Sequence, residues 1–124
     1  SANFIRQKVG DLAFVGCGNY TLNQSASIIQ QSKVLITPDT GLMHIGAALG
    51  VNIVSVWGNT IPEFGMYPYY PKNPEKFVII ENKDLNCRPC SKIGYDTCPK
   101  KHFKCMRLQD VDAMTREVMK DCGL

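Results

Sequence analysis

Apolar positions fall into short runs of two different periods along the chain. Val34 to Thr37 and Val51 to Trp57 are brief and rich in β-branched side chains, the pattern of buried strands. Between them Leu42 to Leu49 is too long and too Ala-rich for a strand. Leu42, Met43, Ile45, Ala47, Ala48 and Leu49 make it apolar nearly all round, which predicts a helix buried on a sheet. Strand, polar turn, helix, strand reads as a parallel βαβ unit. Gly46 inside that helix costs about 1 kcal/mol relative to Ala, a cost that close approach to the sheet beneath would offset. Gly50 suits the helix's carboxyl cap.

Upstream, Phe4, Ile5 and Val9 predict a short helix stopping at Gly10, and Leu12 to Val15 a short strand. Gly16-Cys17-Gly18-Asn19 breaks it. Thr21 and Gln24 have capping-box spacing ahead of Leu22, Ala26 and Ile29, so a helix is expected from about Leu22 to Gln31. Downstream, Gly58 to Pro74 holds four prolines and three tyrosines and predicts a long irregular segment, of the kind that is functional when it is not disordered. Phe77 to Ile80 is a further strand. Residues 109–122 form an amphipathic helix through Leu108, Val111, Met114 and Val118, closed by Gly123. The fold class is α/β: a Rossmann-like parallel sheet with flanking helices, with a Cys-rich loop over 87–105.

With 124 residues, 44% of them hydrophobic, the chain has room for one domain or part of one. The net charge of +3, from 14 basic and 11 acidic residues, is no nucleic-acid signature. Lys92, Lys100, Lys101, Lys104 and Arg107 cluster in one late segment, a solvated face or a surface for an anionic membrane or phosphorylated substrate. No run approaches the roughly 20 apolar residues of a membrane span, and the start lacks a signal peptide's pattern, so a cytoplasmic protein is expected. The opening residues contain no Met and begin as if inside a helix, which predicts a chain cut from something longer.

Parallel sheets bind ligands beyond the carboxyl ends of their strands, and Asp39-Thr40-Gly41 is such a place, with a helix amino terminus beside it. One reading has Asp39 or Thr40 merely capping the helix. The other has the amides of Gly41, Leu42 and Met43 and the Thr40 hydroxyl facing a diphosphate. Asp39 would repel that anion, so its role is to accept hydrogen bonds from sugar hydroxyls or to brace the turn. His44, one turn along, either reaches a phosphate or hydroxyl or is structural.

Thr37-Pro38-Asp39-Thr40-Gly41-Leu42-Met43-His44-Ile45-Gly46-Ala47-Ala48-Leu49-Gly50, with Trp57-Gly58-Asn59-Thr60 after the next strand, resembles the carboxyl-terminal domain of family 9 glycosyltransferases, the ADP-heptose:lipopolysaccharide heptosyltransferases. Gly18-Asn19-Tyr20-Thr21-Leu22 is similar to that family's Gly-Lys-Thr-Ser-Leu turn, and the segment ending Cys105-Met106-Arg107 resembles one in many members. The resemblance implies residues 1–124 to be part of the second Rossmann-like domain of a GT-B enzyme. It implies donor binding by Asp39, Thr40, Gly41, Met43, His44, Gly58, Thr60 and Tyr20: Thr40 and Gly41 at the diphosphate, Asp39 at the transferred sugar, His44 in support, Tyr20 against the base. Asn59 departs from the Pro usual between Gly58 and Thr60. The implied reaction is inverting transfer from ADP-heptose to a lipopolysaccharide core, without an obligatory cofactor or metal. Its base lies in an amino-terminal domain absent here, so no catalytic residue is assigned to this chain, and the isolated chain is expected to be inactive. Peripheral contact with the inner face of the inner membrane fits the basic cluster.

Cys87-x2-Cys90-x7-Cys98-x6-Cys105 leaves three readings open: a structural four-Cys zinc site, disulfides, or unligated packing cysteines. His102 is an alternative fourth ligand. Cys17 and Cys122 are expected to be small buried apolar groups. Glu63, Phe64 and Tyr67 either decorate a surface connection or line the acceptor side of the cleft. A different class of function, a non-catalytic nucleotide-sugar or regulatory binding module with a zinc-stapled loop, also fits. A dinucleotide-dependent dehydrogenase is disfavoured because no Gly-x-Gly-x-x-Gly follows a strand.

Overall fold

The computed structural model describes residues 2–124. Its elements are α1 (Ala2–Val9), α2 (Leu22–Gln30), β1 (Val34–Pro38), α3 (Gly41–Ala48), β2 (Asn52–Trp57), β3 (Phe77–Glu81), α4 (Lys104–Arg107) and α5 (Val111–Cys122). The three strands form one parallel sheet in the order β1-β2-β3, with Val34 opposite Asn52 and Pro38 opposite Val56, then Ile53 opposite Phe77 and Trp57 opposite Glu81.

Central β2 explains the burial. Ile53 and Val54 are 1% and 0% exposed, and consecutive strand residues point to opposite faces, so both faces of β2 are covered. Met43 and Ala47 of α3 pack with Ile53 and Trp57 in the core, and Leu35, Met66, Tyr70 and Phe77 close around them. Helix α5 lies against all three strands. Gly46 sits where the sheet comes closest: a Cβ there would lie 2.8 Å from the Leu35 side chain and 3.3 Å from that of Ile53. The approach predicted for that glycine is what the packing uses.

The capping box is formed. Thr21 Oγ1 accepts from the Gln24 amide at 3.3 Å, and Gln24 Oε1 accepts from the Thr21 amide at 2.9 Å. At the other end, α5 begins at Val111, two residues later than its apolar pattern suggested, because Asp110 caps it by accepting from the Ala113 amide at 2.8 Å. Gly123 ends it at φ 77°.

Four expectations need correction. Leu12 to Val15 is not a strand: Gly10–Leu12 is a single 3-10 turn, and Leu12 and Phe14 are 93% and 76% exposed. A short apolar run becomes a strand only where a neighbouring strand satisfies its backbone, and the sheet ends at β1. The Pro-rich segment is less irregular than predicted, since Pro62–Phe64 and Pro74–Lys76 form 3-10 turns with proline at their starts, where its fixed φ is favourable. Helix α4 arises inside the Cys-rich segment. Cys17 is exposed instead of buried, as it lies on that same uncovered stretch.

Candidate functional site

The parallel register brings the ends of β1 and β2 side by side, so Asp39 and Gly58 leave the sheet next to each other. Between them lies a cavity of about 220 Å³ lined by Pro38, Asp39, Val56, Gly58, Asn59 and Thr60 from the strand ends, and by Ile93, Tyr95, Asp96, Phe103 and Met106 from the segment beyond β3. Asp39 is thus joined in one recess with Gly58 and Thr60, 19 and 21 residues further along the chain. Thr60 is buried, whereas Asp39 is half-exposed.

Thr40 occupies the N-cap of α3 in an extended conformation, φ −149° and ψ 165°, but makes no side-chain cap. Its hydroxyl instead meets that of Thr37 at 3.2 Å. The Met43 amide is taken by the Thr40 carbonyl at 3.1 Å, leaving Gly41 and Leu42 as the amides with no protein acceptor among the described residues. The capping interpretation of Asp39 and Thr40 therefore does not hold, and the set of free donors is two instead of the expected three. Unsatisfied amides at a helix amino terminus, with the dipole behind them, are an anion site in the making. A Cβ on Gly41 would meet nothing within 4 Å, so the approach to these amides is open.

The other expected donor residues are distributed unequally. Met43 is 0% exposed and belongs to the core, so its side chain supports the turn from beneath. It lies on the buried, sheet-facing side of α3. His44 is exposed on α3, one turn from Thr40, and is not among the residues lining the cavity. Tyr20 lies against Gly16 and 6.5 Å from the Phe14 ring, outside the cavity. Glu63 and Tyr67 line a separate recess over β3 with Pro62, Phe77 and Ile79, where Tyr67 stacks on Phe77 at 6.1 Å.

Sequence reasoning missed the residue that ties this end together. Arg88, 4% exposed, donates to the carbonyls of Gly58, Asn82 (2.6 Å) and Thr60 (2.9 Å), and pairs with the buried Glu81 carboxylate at 3.0 Å. One guanidinium with five donors in a planar fork can bridge four acceptors in this way. A lone Arg between two cysteines carries no local signal of that role. Gln109 adds a second tether, donating to the carbonyls of Trp57 (2.8 Å) and Cys105 (2.6 Å).

The six cysteines are free thiols without disulfides. Burial pushes the Cys90 thiol up, with Cys87, Cys105 and Cys98 adding to the effect and Arg88 opposing it. Burial also raises Cys105, whereas Cys98 is lowered first by the Phe103 amide, which donates to its sulfur at 3.4 Å. The four thiols feel one another, yet among the described residues no three His, Cys, Asp or Glu side chains are grouped so as to hold a metal ion. Cys90 Sγ donates to the Cys87 carbonyl at 3.4 Å, and Cys87 Sγ lies 3.8 Å from His102 Nε2.

Comparison with known proteins gives this site a context. Residues 5–101 match the model of glycosyltransferase family 9 (heptosyltransferase). The chain is 30% identical over 104 residues to lipooligosaccharide heptosyltransferase 2 of Campylobacter jejuni serotype O:6, covering 84% of this chain and 30% of that protein. It is 38% identical over 47 residues to lipopolysaccharide heptosyltransferase 2 of Escherichia coli K12, covering 38% of this chain and 14% of that protein. The chain thus spans less than a third of the length of these relatives. No solved structure matches it significantly.

Proposed function

The chain belongs to glycosyltransferase family 9, the heptosyltransferases, and on that premise we propose that it forms the donor-binding part of an enzyme transferring heptose from ADP-heptose to a lipopolysaccharide core. One observation carries the reading: the uncapped start of α3, with the Gly41 and Leu42 amides free, opens beside a cavity edged by Asp39 at the carboxyl ends of β1 and β2. In this reading the donor diphosphate sits on those amides and the Thr40 hydroxyl, and Asp39 accepts hydrogen bonds from the sugar.

Inverting transfer joins the acceptor oxygen to the anomeric carbon as the bond from that carbon to the diphosphate breaks. Negative charge grows on the leaving oxygen, and fixed amide dipoles stabilise it without reorganising. That is the share of catalysis these residues supply. The base that takes the acceptor's proton is assigned to the amino-terminal domain, and no residue of this chain is given that role. No helix among the described residues is long and apolar enough to cross a membrane. Exposed Lys92, Lys100, Lys101, Lys104 and Arg107 suit peripheral contact with an anionic membrane surface at the cytoplasmic face.

Titrating the chain with ADP while following backbone amides by NMR tests the donor reading. Shifts concentrated at Thr40, Gly41 and Leu42 are expected; an unperturbed spectrum, or shifts confined elsewhere, overturns it. The chain alone is expected to transfer no heptose, and measurable transfer would overturn the assignment of the base.

A further inference from the structure

The cavity beside Asp39 has a second wall that the donor reading leaves without a task. Ile93, Tyr95 and Asp96 come from the Cys-rich loop, and 87% of Ile93 and 54% of Tyr95 are exposed. Large apolar groups left open at the rim of a recess, next to a carboxylate, ask for a reason.

This wall is built, not draped. Asn59 Nδ2 donates to the Tyr95 carbonyl at 2.9 Å, and the Asn59 carbonyl accepts from the Cys90 amide at 2.9 Å. Gly94, at φ +82°, lies so close to the Asn59 amide group that a Cβ would come within 2.7 Å of it. Ser91 Oγ closes the bend by donating to the Gly94 carbonyl at 2.9 Å. The turn that forms the floor of the cavity therefore also fixes its second wall. Asn59, where proline is usual in the resembling family, is the residue that does so.

The lining sorts the ligand. It contains two carboxylates, Asp39 and Asp96, and no Lys, Arg or His, so a phosphate inside it would meet repulsion with no compensating cation. Carboxylates are acceptors only and match hydroxyl donors, and Tyr95 and Ile93 offer apolar surface to a ring's C–H face. At about 220 Å³ the cavity falls below the roughly 300–1,000 Å³ of sites holding a whole drug-sized ligand, and suits one ring of a larger molecule.

We propose that the loop segment Ile93–Asp96 is a glycosyl subsite: Asp96 and Tyr95 bind the polyhydroxylated ring opposite Asp39, while the diphosphate stays outside on α3. The inference rests on the donor reading above and extends it to residues of the Cys-rich loop. Calorimetric titration of the full chain with ADP and with ADP-heptose separates the two ideas. Wild type should bind ADP-heptose more tightly than ADP. Asp96→Asn and Tyr95→Ala, both at exposed positions, should each weaken ADP-heptose by about ten-fold, the scale of one hydrogen bond to a charged group for Asp96 and of a lost aromatic contact for Tyr95, and leave ADP unchanged. Equal binding of both ligands by wild type, unchanged ADP-heptose binding in both variants, or equal loss of both ligands overturns the subsite while the donor reading stands. Failure of wild type to bind either ligand overturns the donor reading and the subsite with it.

Discussion

Arg88 and Glu81 form a buried ion pair, 3.0 Å apart with side chains 4% and 6% exposed, at the point where the Cys-rich loop meets the end of β3. The pair does more than neutralise two charges, because the same guanidinium holds the carbonyls of Gly58 and Thr60. The turn that floors the cavity is therefore positioned by a residue that lines no part of it. Removing Arg88 leaves the buried Glu81 carboxylate with only the exposed Lys83 ammonium at 3.4 Å; losing one partner of a buried pair costs about 3–5 kcal/mol, with the lower end expected here. Arg88→Met should lower the unfolding free energy by about that amount, read from urea denaturation. The double variant Arg88→Met/Glu81→Gln should recover part of the loss, because the two sites are coupled. Additive losses would show that the pair is not the energetic link.

Gly41 separates stability from binding. A Cβ there meets open space, so Gly41→Ala should fold with stability unchanged or raised by up to about 1 kcal/mol, from helix propensity and a less flexible unfolded chain. Its methyl group would stand over the free amides and weaken ADP binding. Thermal unfolding and calorimetry on one sample check both halves, and undiminished ADP affinity would argue that the ligand does not approach there.

Gly46 offers the opposite case. In Gly46→Ala the new Cβ would press on Leu35 at 2.8 Å, and overpacking of this kind costs about 1–3 kcal/mol against about 1 kcal/mol gained in helix propensity. A net loss of up to about 2 kcal/mol is expected, partly restored when Leu35→Val makes room. Denaturation midpoints of the single and double variants measure the coupling.

Tyr70 gives the fold an alkaline limit. Its hydroxyl donates to the Val51 carbonyl, and burial pushes its ionisation from 10.0 up to about 12. The folded state thus keeps a proton that the unfolded state has lost, so the contribution of Tyr70 is full below pH 10 and falls as pH rises from about 10 to about 12. Ultraviolet absorbance of phenolate should show one tyrosine ionising late, and Tyr70→Phe should remove that late step. An alkaline titration identical in the two proteins would refute the assignment.

Much of the secondary structure was legible because its determinants are local. The Thr21–Gln24 capping box, the β-branched runs of β1 and β2, and the Gly123 stop each act within a few residues, and all are formed. Leu12 to Val15 shows where that logic fails: its apolar content matched a strand, but strand formation needs a partner supplied from outside the run. At the site, the motif around Asp39 marked a helix amino terminus but left open whether Asp39 or Thr40 caps it; only the structure shows that Thr40 makes no side-chain cap. Within that motif the fold sorts the side chains, placing Met43 in the core and leaving His44 exposed on α3.

By itself, then, the chain's pattern determined a parallel α/β unit and a polar turn at the carboxyl end of its first strand, through periodicity and capping that operate over single turns of chain. Tertiary structure alone decided which residues share a cavity with that turn. Arg88 reaching back about 30 positions to Gly58 and Thr60, and Asn59 reaching forward to Tyr95, have no local sequence signature. Their pairing depends on where the Cys-rich loop returns across the strand ends, and only the folded packing of that loop brings Asp96 into the same cavity as Asp39.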